Sequence, residues 1–361
     1  MKTKLGITLS VLLAFSTPVL AGLHIVQING KEGFINKSGE LVIPAKYDDA
    51  GNFSDGLAHV KINGKYGFIN KSGKLVIPAQ YDDAGNFSDG LAHVKINDKD
   101  GFINKSGKLV IPAKYDNAFN FSDGLAQVEI NGKYGFINKS GKLVIPAKYD
   151  FVYDFSDGLA QVRINGKDSF INKSGKLVIP AQYDNAFNFS DGLAQVEING
   201  KYGFINKSGG LVIPAQYDFA GNFSDGLAHV KINGKYGFIN KSGKLVIPAQ
   251  YDYAENFSDG LAWVRINGKD GFINKSGKLV IPAQYDNAAC DFSDGLVQVK
   301  INGKYGFINK SGELVIPAKY NDAGDFSDGL AQVEINDENV IINKSGKIIF
   351  NITKEEKQQA K

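Results

Sequence analysis

Residues 57–90 read LAHVKINGKYGFINKSGKLVIPAQYDDAGNFSDG, and this 34-residue unit recurs along nearly the whole chain. A fixed period of this size means that each copy is one supersecondary unit, stable only when it is stacked on its neighbours. The phrase GFINKSG marks the copies. Its aromatic position falls at Phe34, Phe68, Phe102, Phe136, Phe170, Phe204, Phe238, Phe272 and, after a one-residue slip, Phe307, and Ile341 takes it in the tenth copy.

The first half of the unit predicts a β-hairpin. In residues 57–62, Ala58, Val60 and Ile62 alternate with the residues of the other face, which is the period-two pattern of a half-buried strand. Asn-Gly follows at residues 63–64, and it is a strong hairpin signal because both residues tolerate the positive φ of a type I′ turn. Residues 65–70 then predict a second strand.

The second half predicts a third strand and a connection. Residues 71–73, Lys-Ser-Gly, are typical of a turn with glycine in the left-handed region. Residues 75–77 form the next strand, and we expect Pro78 to end it because proline has no N–H for the ladder. Residues 81–90 read as a polar connection. The glycines, the proline and the β-branched runs exclude helical repeats of the same length, such as tetratricopeptide units.

The repeats predict an all-β domain over residues 22–352, built from ten three-stranded units. Each end of the domain supplies a whole unit, whereas a closed propeller usually mixes strands from both termini in its last blade. We therefore expect an open, elongated superhelix or solenoid, with a closed β-propeller-like ring as the alternative. Residues 353–361 are charged and rich in glutamine, which predicts a disordered tail.

The first 21 residues have the pattern of a secretory signal peptide. Lys2 and Lys4 precede a short apolar run, and Pro18-Val19-Leu20-Ala21 is a small-residue cleavage site. The run is too short for a membrane span, which needs about 20 residues. We expect cleavage after Ala21 and an exported protein, located in the periplasm, at the cell surface or outside the cell, with no transmembrane segment after leader removal.

The charge balance bears on the kind of partner, and the single cysteine bears on how the fold is stabilised. Without Lys2 and Lys4, 39 basic residues face 38 acidic ones, which gives no electrostatic reason to expect nucleic acid as a partner. Cys290 is the only cysteine, so no intramolecular disulfide forms and packing must supply the stability. Cys290 lies in the slipped loop, either as a reactive thiol or as a passive loop residue.

The recurring phrase resembles a known family. Residues 65–74, KYGFINKSGK, followed by Val76-Ile77-Pro78 and Tyr81-Asp82, are similar to the WG repeat family of bacteria, and the resemblance covers residues 23–350. It implies a β-rich repeat module, often exported, with no well-defined activity and no catalytic residues to carry over. The family is named for a Trp-Gly pair, which this chain alters. Tyrosine replaces the tryptophan at Tyr66, Tyr134, Tyr202, Tyr236 and Tyr305, and other residues replace it at Glu32, Asp100, Asp168, Asp270 and Asn339. The glycine is lost at Ser169 and Val340.

No asymmetric set of catalytic groups is visible, so we expect no enzyme and no cofactor. The sequence GNFSDG at residues 51–56 has one residue too many before the serine for a hydrolase elbow. His59 and His93 occupy one column in adjacent copies, but no third metal ligand is evident. Asp48, Asp49 and Asp55 recur in the next copy as Asp82, Asp83 and Asp89, and turn formation or calcium binding remains open for them.

The positions that differ between copies are candidate binding residues. The strand-one column contains His59, His93, Gln127, Gln161, Gln195, His229, Trp263, Gln298 and Gln332, and we expect it to face solvent opposite Val60. The loop column holds Gly51, Gly85, Phe119, Tyr153, Phe187 and Glu255; two residues before this position lie Phe151, Phe219 and Tyr253.

Exposed aromatic side chains on a repeated surface are typical contacts for proteins or sugar rings, although packing under the loop is the competing explanation. Trp263 is the best single anchor candidate. The expected function is an exported non-catalytic scaffold for a macromolecular partner, a protein in the first place. The alternative is a lectin-like module for envelope or host glycans.

Overall fold

The computed structural model of the protein describes residues 22–359, in which ten small antiparallel sheets follow one another along the chain. Each sheet is called a blade and numbered in chain order. Blade 1 has three strands, and each of the others has four, in the order in which they occur in the sequence. The all-β repeat architecture predicted from the sequence is confirmed.

The strand bounds repeat closely from blade to blade. Blade 1 holds β1 (His24–Ile28), β2 (Lys31–Ile35) and β3 (Leu41–Tyr47); blade 2 holds β4 (Asp49–Ala50), β5 (Leu57–Ile62), β6 (Lys65–Asn70) and β7 (Leu75–Tyr81); blade 3 holds β8 (Asp83–Ala84), β9 (Leu91–Ile96), β10 (Lys99–Asn104) and β11 (Leu109–Tyr115); blade 4 holds β12 (Asn117–Ala118), β13 (Leu125–Ile130), β14 (Lys133–Asn138) and β15 (Leu143–Tyr149); blade 5 holds β16 (Phe151–Val152), β17 (Leu159–Ile164), β18 (Lys167–Asn172) and β19 (Leu177–Tyr183).

The second half of the chain continues the same pattern. Blade 6 holds β20 (Asn185–Ala186), β21 (Leu193–Ile198), β22 (Lys201–Asn206) and β23 (Leu211–Tyr217); blade 7 holds β24 (Phe219–Ala220), β25 (Leu227–Ile232), β26 (Lys235–Asn240) and β27 (Leu245–Tyr251); blade 8 holds β28 (Tyr253–Ala254), β29 (Leu261–Ile266), β30 (Lys269–Asn274) and β31 (Leu279–Tyr285); blade 9 holds β32 (Asn287–Ala288), β33 (Leu296–Ile301), β34 (Lys304–Asn309) and β35 (Leu314–Tyr320); blade 10 holds β36 (Asp322–Ala323), β37 (Leu330–Ile335), β38 (Glu338–Asn343) and β39 (Ile348–Asn351); α1 (Ile352–Gln359) follows.

The turns form for the reasons that the sequence suggested. Asn63 and Gly64 both have positive φ, 51° and 81°, as a type I′ hairpin turn requires. At the next turn, Asn70 Oδ1 accepts hydrogen bonds from Ser72 N at 3.1 Å, Ser72 Oγ at 2.7 Å and Lys74 N at 3.0 Å. A side chain that satisfies its own turn in this way fixes the turn without tertiary contacts.

Two details of the unit differ from the prediction. Strand β7 runs through Pro78 to Tyr81, and its pairing with β6 shifts register between the Phe68–Ile77 and Tyr66–Tyr81 pairs. Proline is tolerated there because β7 is an edge strand with a bulge, where no ladder N–H is needed. The connection also contains a two-residue strand, β8, which is the first strand of the next blade.

Successive blades share one hydrophobic interface per junction. Phe68, Ile77 and Tyr81 of blade 2 pack against Phe87 and Val94 of blade 3, and all five side chains are buried. The same cluster recurs at the other junctions with the equivalent residues. Each blade therefore buries its apolar face only by contact with a neighbour, as expected for a repeat protein.

Aspartates also join the blades. Asp55 of blade 2 accepts a hydrogen bond from Gly90 N of blade 3 at 3.0 Å and lies 3.7 Å from the Lys105 ammonium of that blade. At the other end of the strands, Asp82 accepts hydrogen bonds from the Lys65 ammonium and, at 3.0 Å, from Asn97 N. These contacts lower the pKa of Asp82, the Lys65 hydrogen bond most strongly.

The repeated aspartates thus have structural partners. In residues 22–359, no group of three or more His, Cys, Asp or Glu side chains has the arrangement of a metal site.

Blades 10 and 1 meet, so the chain closes into a ten-bladed β-propeller ring, and the expected open superhelix is wrong. Val26, Ile28 and Ile35 of blade 1 share a buried cluster with Leu330 and Ile341 of blade 10. Gly39, in the turn between β2 and β3, lies so close to β39 that an ideal Cβ on it would be 2.1 Å from the Ile349 carbonyl oxygen. The equivalent Gly73 packs on Ile43 of the preceding blade. In both places the turn packs on the preceding blade, but at the closing junction it meets the backbone of β39 where the equivalent turn meets an isoleucine side chain.

The expectation of an open stack assumed that closure needs a blade shared between the termini. Here each terminus keeps its own strands, and face-to-face packing closes the ring instead. Charges meet at this junction as well, because Asp328 of blade 10 and Lys37 of blade 1 both act electrostatically on His24. Side-chain packing alone can thus take the role that strand exchange has in many propellers.

The polar tail forms a helix rather than the expected disordered end. Asn351 Oδ1 caps α1 by accepting a hydrogen bond from Lys354 N at 2.8 Å, and Ile352 is buried in the cluster between blades 10 and 1. Glu356 accepts a hydrogen bond from Asn29 N at 3.2 Å. The polar composition gave no sign of this helix, because only two residues, the cap Asn351 and the buried Ile352, hold it over the closing junction.

Candidate binding surface

The two variable columns of the sequence lie side by side. In blades 2–10, the short first strand pairs with the second strand, and the strand-one column lies on this second strand. The loop-column residue directly follows the short strand and continues the same ladder. Gly51 N donates to His59 O at 3.0 Å, and Tyr153 N donates to Gln161 O at 2.9 Å. Each loop-column residue therefore neighbours the strand-one residue of its own blade.

Apart from Gln332 of blade 10, which is exposed, the strand-one column is more buried than expected. We predicted that it faces solvent, but Trp263 is 6% exposed and His229 is 5% exposed, while His59 and His93 are half-buried. The polar loop of the next blade covers the column: His229 Nδ1 lies 2.9 Å from Asn256 Oδ1, and Gln127 Nε2 donates to Asp154 Oδ1 at 2.6 Å. These side chains are thus part of the junctions between blades.

Burial changes the charge state of the histidines. Desolvation lowers the pKa of His229 to about 4 against the opposing effect of its hydrogen bond to Asn256, and it also lowers the pKa of His59. The neutral imidazole is the form that fits between the blades. The surface residue Cys290 has a thiol that its neighbours partly desolvate. This desolvation raises the pKa of the thiol to about 11, so Cys290 carries little thiolate at neutral pH.

Histidine in one column requires glycine in the other. An ideal Cβ on Gly51 would lie 2.1 Å from Cε1 of His59, and one on Gly221 would lie 2.2 Å from Cε1 of His229. The imidazole therefore occupies the space that a larger loop residue would need. This pairing of residues eight positions apart is visible in the sequence, where Gly85 accompanies His93 in the same way.

Aromatic residues appear in the loop column where the partner is glutamine. Phe119 is 41% exposed, Tyr153 43% and Phe187 42%, and their partners are Gln127, Gln161 and Gln195. The neighbouring aromatic positions are exposed to a similar extent. We call the whole set the aromatic arc: Phe119, Phe151, Tyr153, Phe187, Phe219 and Tyr253, which lie on blades 4–8.

Ring contacts hold the arc in place. Phe151 packs on Tyr134 of blade 4 with ring centroids 5.4 Å apart and on Tyr153 at 4.8 Å. Tyr253 packs on Tyr236 of blade 7 at 4.9 Å. Phe151, Tyr153, Phe219 and Tyr253 each pack on a second ring, so this part of the arc presents aromatic surface with little conformational freedom to lose on binding.

Trp263 has a different place from the one predicted. It is buried in a cluster with Phe272 and Ile281, its indole lies 5.3 Å from the Arg265 guanidinium, and Tyr253 packs on it at 5.6 Å. Tyr253 is the residue that meets solvent here. The tryptophan is therefore a packing residue beneath the arc in this structure.

Three blades carry a buried carboxylate where others carry tyrosine. Asp168 is 1% exposed, accepts a hydrogen bond from Ala186 N at 2.9 Å and pairs with Arg163, whose Nε lies 2.9 Å from Oδ1. This pairing raises the pKa of Arg163. Asp270 repeats the arrangement with Arg265. The sequence analysis missed these pairs, although a cation stands five residues before each of these aspartates.

An open depression lies beside Asp168, between blades 5 and 6. Its volume is about 310 Å³, and it is lined by Tyr153, Gln161, Arg163, Asp168, Asn185, Ala186, Phe187, Asn188 and Asn222. Two residues of the aromatic arc thus stand at its rim with amide and charged groups between them. The arrangement offers hydrogen-bond donors and acceptors next to apolar ring faces.

Membrane insertion by a helix has no support in the structure: from residue 22 to residue 359, no helix is both long and apolar enough to cross a bilayer.

The repeats match a known family. The family described as "WG containing repeat" matches residues 33–66, 66–99, 101–134, 134–167, 169–202, 202–236, 236–269, 271–305 and 305–338. These nine matches confirm the resemblance predicted from the recurring phrase. No curated protein matches the sequence.

Solved structures resemble the fold at low sequence identity. A structure described as that of "the eukaryotic initiation factor" is 12% identical, has a TM-score of 0.53, and the similarity covers 91% of this chain and 94% of that chain. The extracellular domain of a putative one-component system from B. thetaiotaomicron is 10% identical with a TM-score of 0.28, and 90% of this chain and 59% of that chain are covered. PorZ, a surface component of the type-IX secretion system of Porphyromonas gingivalis, is 9% identical with a TM-score of 0.29, and 85% of this chain and 52% of that chain are covered. The first of these similarities agrees with the closed ring and speaks to the fold alone.

Proposed function

We propose, from the premise that the chain belongs to the family of WG-containing repeat proteins, that it is an exported, non-catalytic scaffold that binds a protein partner through the aromatic arc. Export rests on the signal-peptide pattern of residues 1–21, which lie outside the residues that the structure describes. The remaining support comes from the surface of the ring.

The observation that carries the proposal is the asymmetry of a nearly symmetric ring. Blades 2, 3, 9 and 10 carry Gly51, Gly85, Ala289 and Gly324 in the loop column, and none of their arc positions is aromatic. Packing between blades cannot explain the exposed rings of blades 4–8, since the other blades pack in the same way without them. Clustered exposed aromatic side chains are typical of protein interfaces.

The absence of activity is proposed from the chemistry of the same surface. His229, which lies beside the arc, has a lowered pKa and is part of a junction, and the Asp168 carboxylate is engaged by Arg163 and by a backbone N–H. General acid–base catalysis needs a group that reaches the substrate and exchanges protons near the working pH. Binding requires only the exposed rings and their amide neighbours.

A glycan partner is the second candidate, favoured by the depression between blades 5 and 6. Aromatic rings beside amide groups in a concave site suit a small polar ligand better than the flat remainder of the arc does. The protein proposal concerns the whole arc, whereas the glycan candidate concerns this one site.

The test of the protein proposal compares two triple variants of residues 22–361. One removes arc residues outside the depression, Phe119→Ala/Phe219→Ala/Tyr253→Ala. The control removes exposed leucines on the edge strands of blades 3, 6 and 7, Leu109→Ala/Leu211→Ala/Leu245→Ala, which have 41–50% exposure. A protein captured by the wild type and by the leucine variant, but lost with the arc variant, is the expected result. Equal capture by all three forms would refute a role for the arc.

A further inference from the structure

Three junctions have aspartate in place of tyrosine, and at one of them an open depression lies beside the aspartate. Between blades 3 and 4, the imidazole of His93 takes up the space beside the aspartate and hydrogen-bonds to Asn120, with 3.1 Å between Nδ1 and Oδ1. Between blades 8 and 9, the indole of Trp263 fills it. Between blades 5 and 6, Gln161 replaces these rings, and the depression beside Asp168 results.

The walls of this depression are aromatic and its floor is polar. Tyr153 and Phe187 are both more than 40% exposed, and each comes from a different blade. The floor contains the Arg163–Asp168 ion pair and the amide of Gln161, which is 5% exposed. Asn222, which also lines the depression, is exposed, so its side-chain amide can both donate to and accept from a ligand there.

The charge and size of the site restrict what binds there. Arg163 and Asp168 neutralise each other, so the floor attracts neither an anion nor a cation. The volume of about 310 Å³ is at the lower end for small-molecule pockets. A ligand with one apolar face and several hydroxyl groups would cover the rings with that face and hydrogen-bond to the Asn222 amide.

We propose that the depression between blades 5 and 6 binds one ring of a neutral saccharide. The sugar ring stacks on Tyr153 or Phe187, and its hydroxyl groups hydrogen-bond to Asn222, Gln161 and the outer edge of Arg163. The site uses part of the aromatic arc, but it does not require that the arc bind a protein. The proposal deepens the glycan candidate for this site and does not rest on protein binding by the arc, so either of the two can fail without the other.

The experiment measures saturation transfer from residues 22–361 to glucose, galactose, mannose and N-acetylglucosamine by NMR, with titration of any sugar that responds. The blocking variant is Asp168→Tyr/Ser169→Gly, which restores the tyrosine–glycine pair found in five other copies and fills the depression. Its matched control is Asp270→Tyr, the same aspartate-to-tyrosine change at the junction between blades 8 and 9. Phe187→Ala removes one wall, and Phe119→Ala is the control for losing an exposed arc residue.

We expect at least one sugar to bind, with about tenfold or greater weakening in Asp168→Tyr/Ser169→Gly and in Phe187→Ala, and no change in Asp270→Tyr or Phe119→Ala. Circular dichroism confirms that each variant is folded. No transfer to any of the four sugars at millimolar concentration would overturn the proposal. So would binding that the blocking variant leaves unchanged, or binding of a neutral tripeptide at the same site in preference to the sugars. Protein capture through Phe119, Phe219 and Tyr253 would stand in each of these cases.

Discussion

Trp263→Ala separates packing from binding at the most variable position of the strand-one column. The side chain is 6% exposed and lies in the cluster with Phe272 and Ile281. Removing a buried tryptophan from a core costs about 3–5 kcal/mol of unfolding free energy. The indole N–H has no hydrogen-bond partner among the described residues, and its burial opposes folding by about 1–3 kcal/mol.

The two contributions have opposite signs, because the alanine variant loses the packing and also loses the unpartnered N–H. Subtracting the middle of the second range from the middle of the first gives an expected net destabilisation of about 2 kcal/mol. The assay is urea unfolding of residues 22–361 followed by far-UV circular dichroism, since the variant removes the only tryptophan. Phe187→Ala is the control, and its 42% exposed side chain predicts a change within about 0.5 kcal/mol.

An unchanged unfolding midpoint for Trp263→Ala would refute the placement of the indole inside the junction. If that variant also lost a partner that the Phe187→Ala variant retained, Trp263 would be the surface anchor that the sequence suggested. The structure predicts the reverse order, with the larger stability loss at Trp263 and the larger binding loss in the exposed arc.

Three further predictions test the closing junction and the buried histidine. Gly39→Ala should destabilise the protein clearly more than Gly64→Ala, because both glycines have positive φ but only the Cβ at residue 39 meets a carbonyl oxygen, at 2.1 Å; equal melting temperatures would contradict closure. Truncation after Asn351 should speed hydrogen exchange in β1 and β38 while leaving β17 protected, whereas uniform protection would show that α1 does not hold the junction. In the wild type, the free energy of unfolding should fall by about 2 kcal/mol between pH 8 and pH 5, because a His229 pKa lowered to about 4 makes protonation favour the unfolded chain as the pH falls below 6.5. His229→Gln should remove this loss of stability, and parallel pH profiles of the two proteins would contradict the prediction.

The local structure of the unit was predictable because its signals are local. Asn63-Gly64 specifies its own turn through backbone preference, and the strands Leu57–Ile62 and Lys65–Asn70 lie within the predicted bounds. Pro78 misled the prediction because its effect depends on whether the strand is at an edge, which is a property of the sheet. The two-residue strand Asp83–Ala84 was too short to have a period of its own.

Closure was not predictable from the repeat because it depends on residues that do not repeat. The cluster between blades 10 and 1 uses Ile341 and Ile352, which stand where other copies have phenylalanine and alanine. The angle between neighbouring blades is likewise absent from a hydrophobic pattern. A pattern shows which face is buried, but an open stack and a ring bury the same face.

The exposed aromatic residues were found from variation between copies, and their exposure is confirmed, while the burial of Trp263 and His229 reverses the expectation for that column. The alternation pattern places these two residues opposite Val264 and Val230, and both faces of the strand are covered here. Their binding roles remain predictions. The pairing of His59 with Gly51 in the sequence indicated this burial, because an imidazole that needs glycine beside it must pack over the backbone of the loop.

Closure also ties the number of copies to an angle. A full turn divided among ten blades requires about 36° at each junction, and nine blades would require about 40° at each. An open stack could gain or lose a unit with only one interface affected, but a ring must share the difference among all of its interfaces. The near identity of the nine junctions between successive blades then has a geometric meaning, because no single junction can bend more without another bending less. The count of repeats in this chain is thus a structural quantity, held by the shape of every blade together.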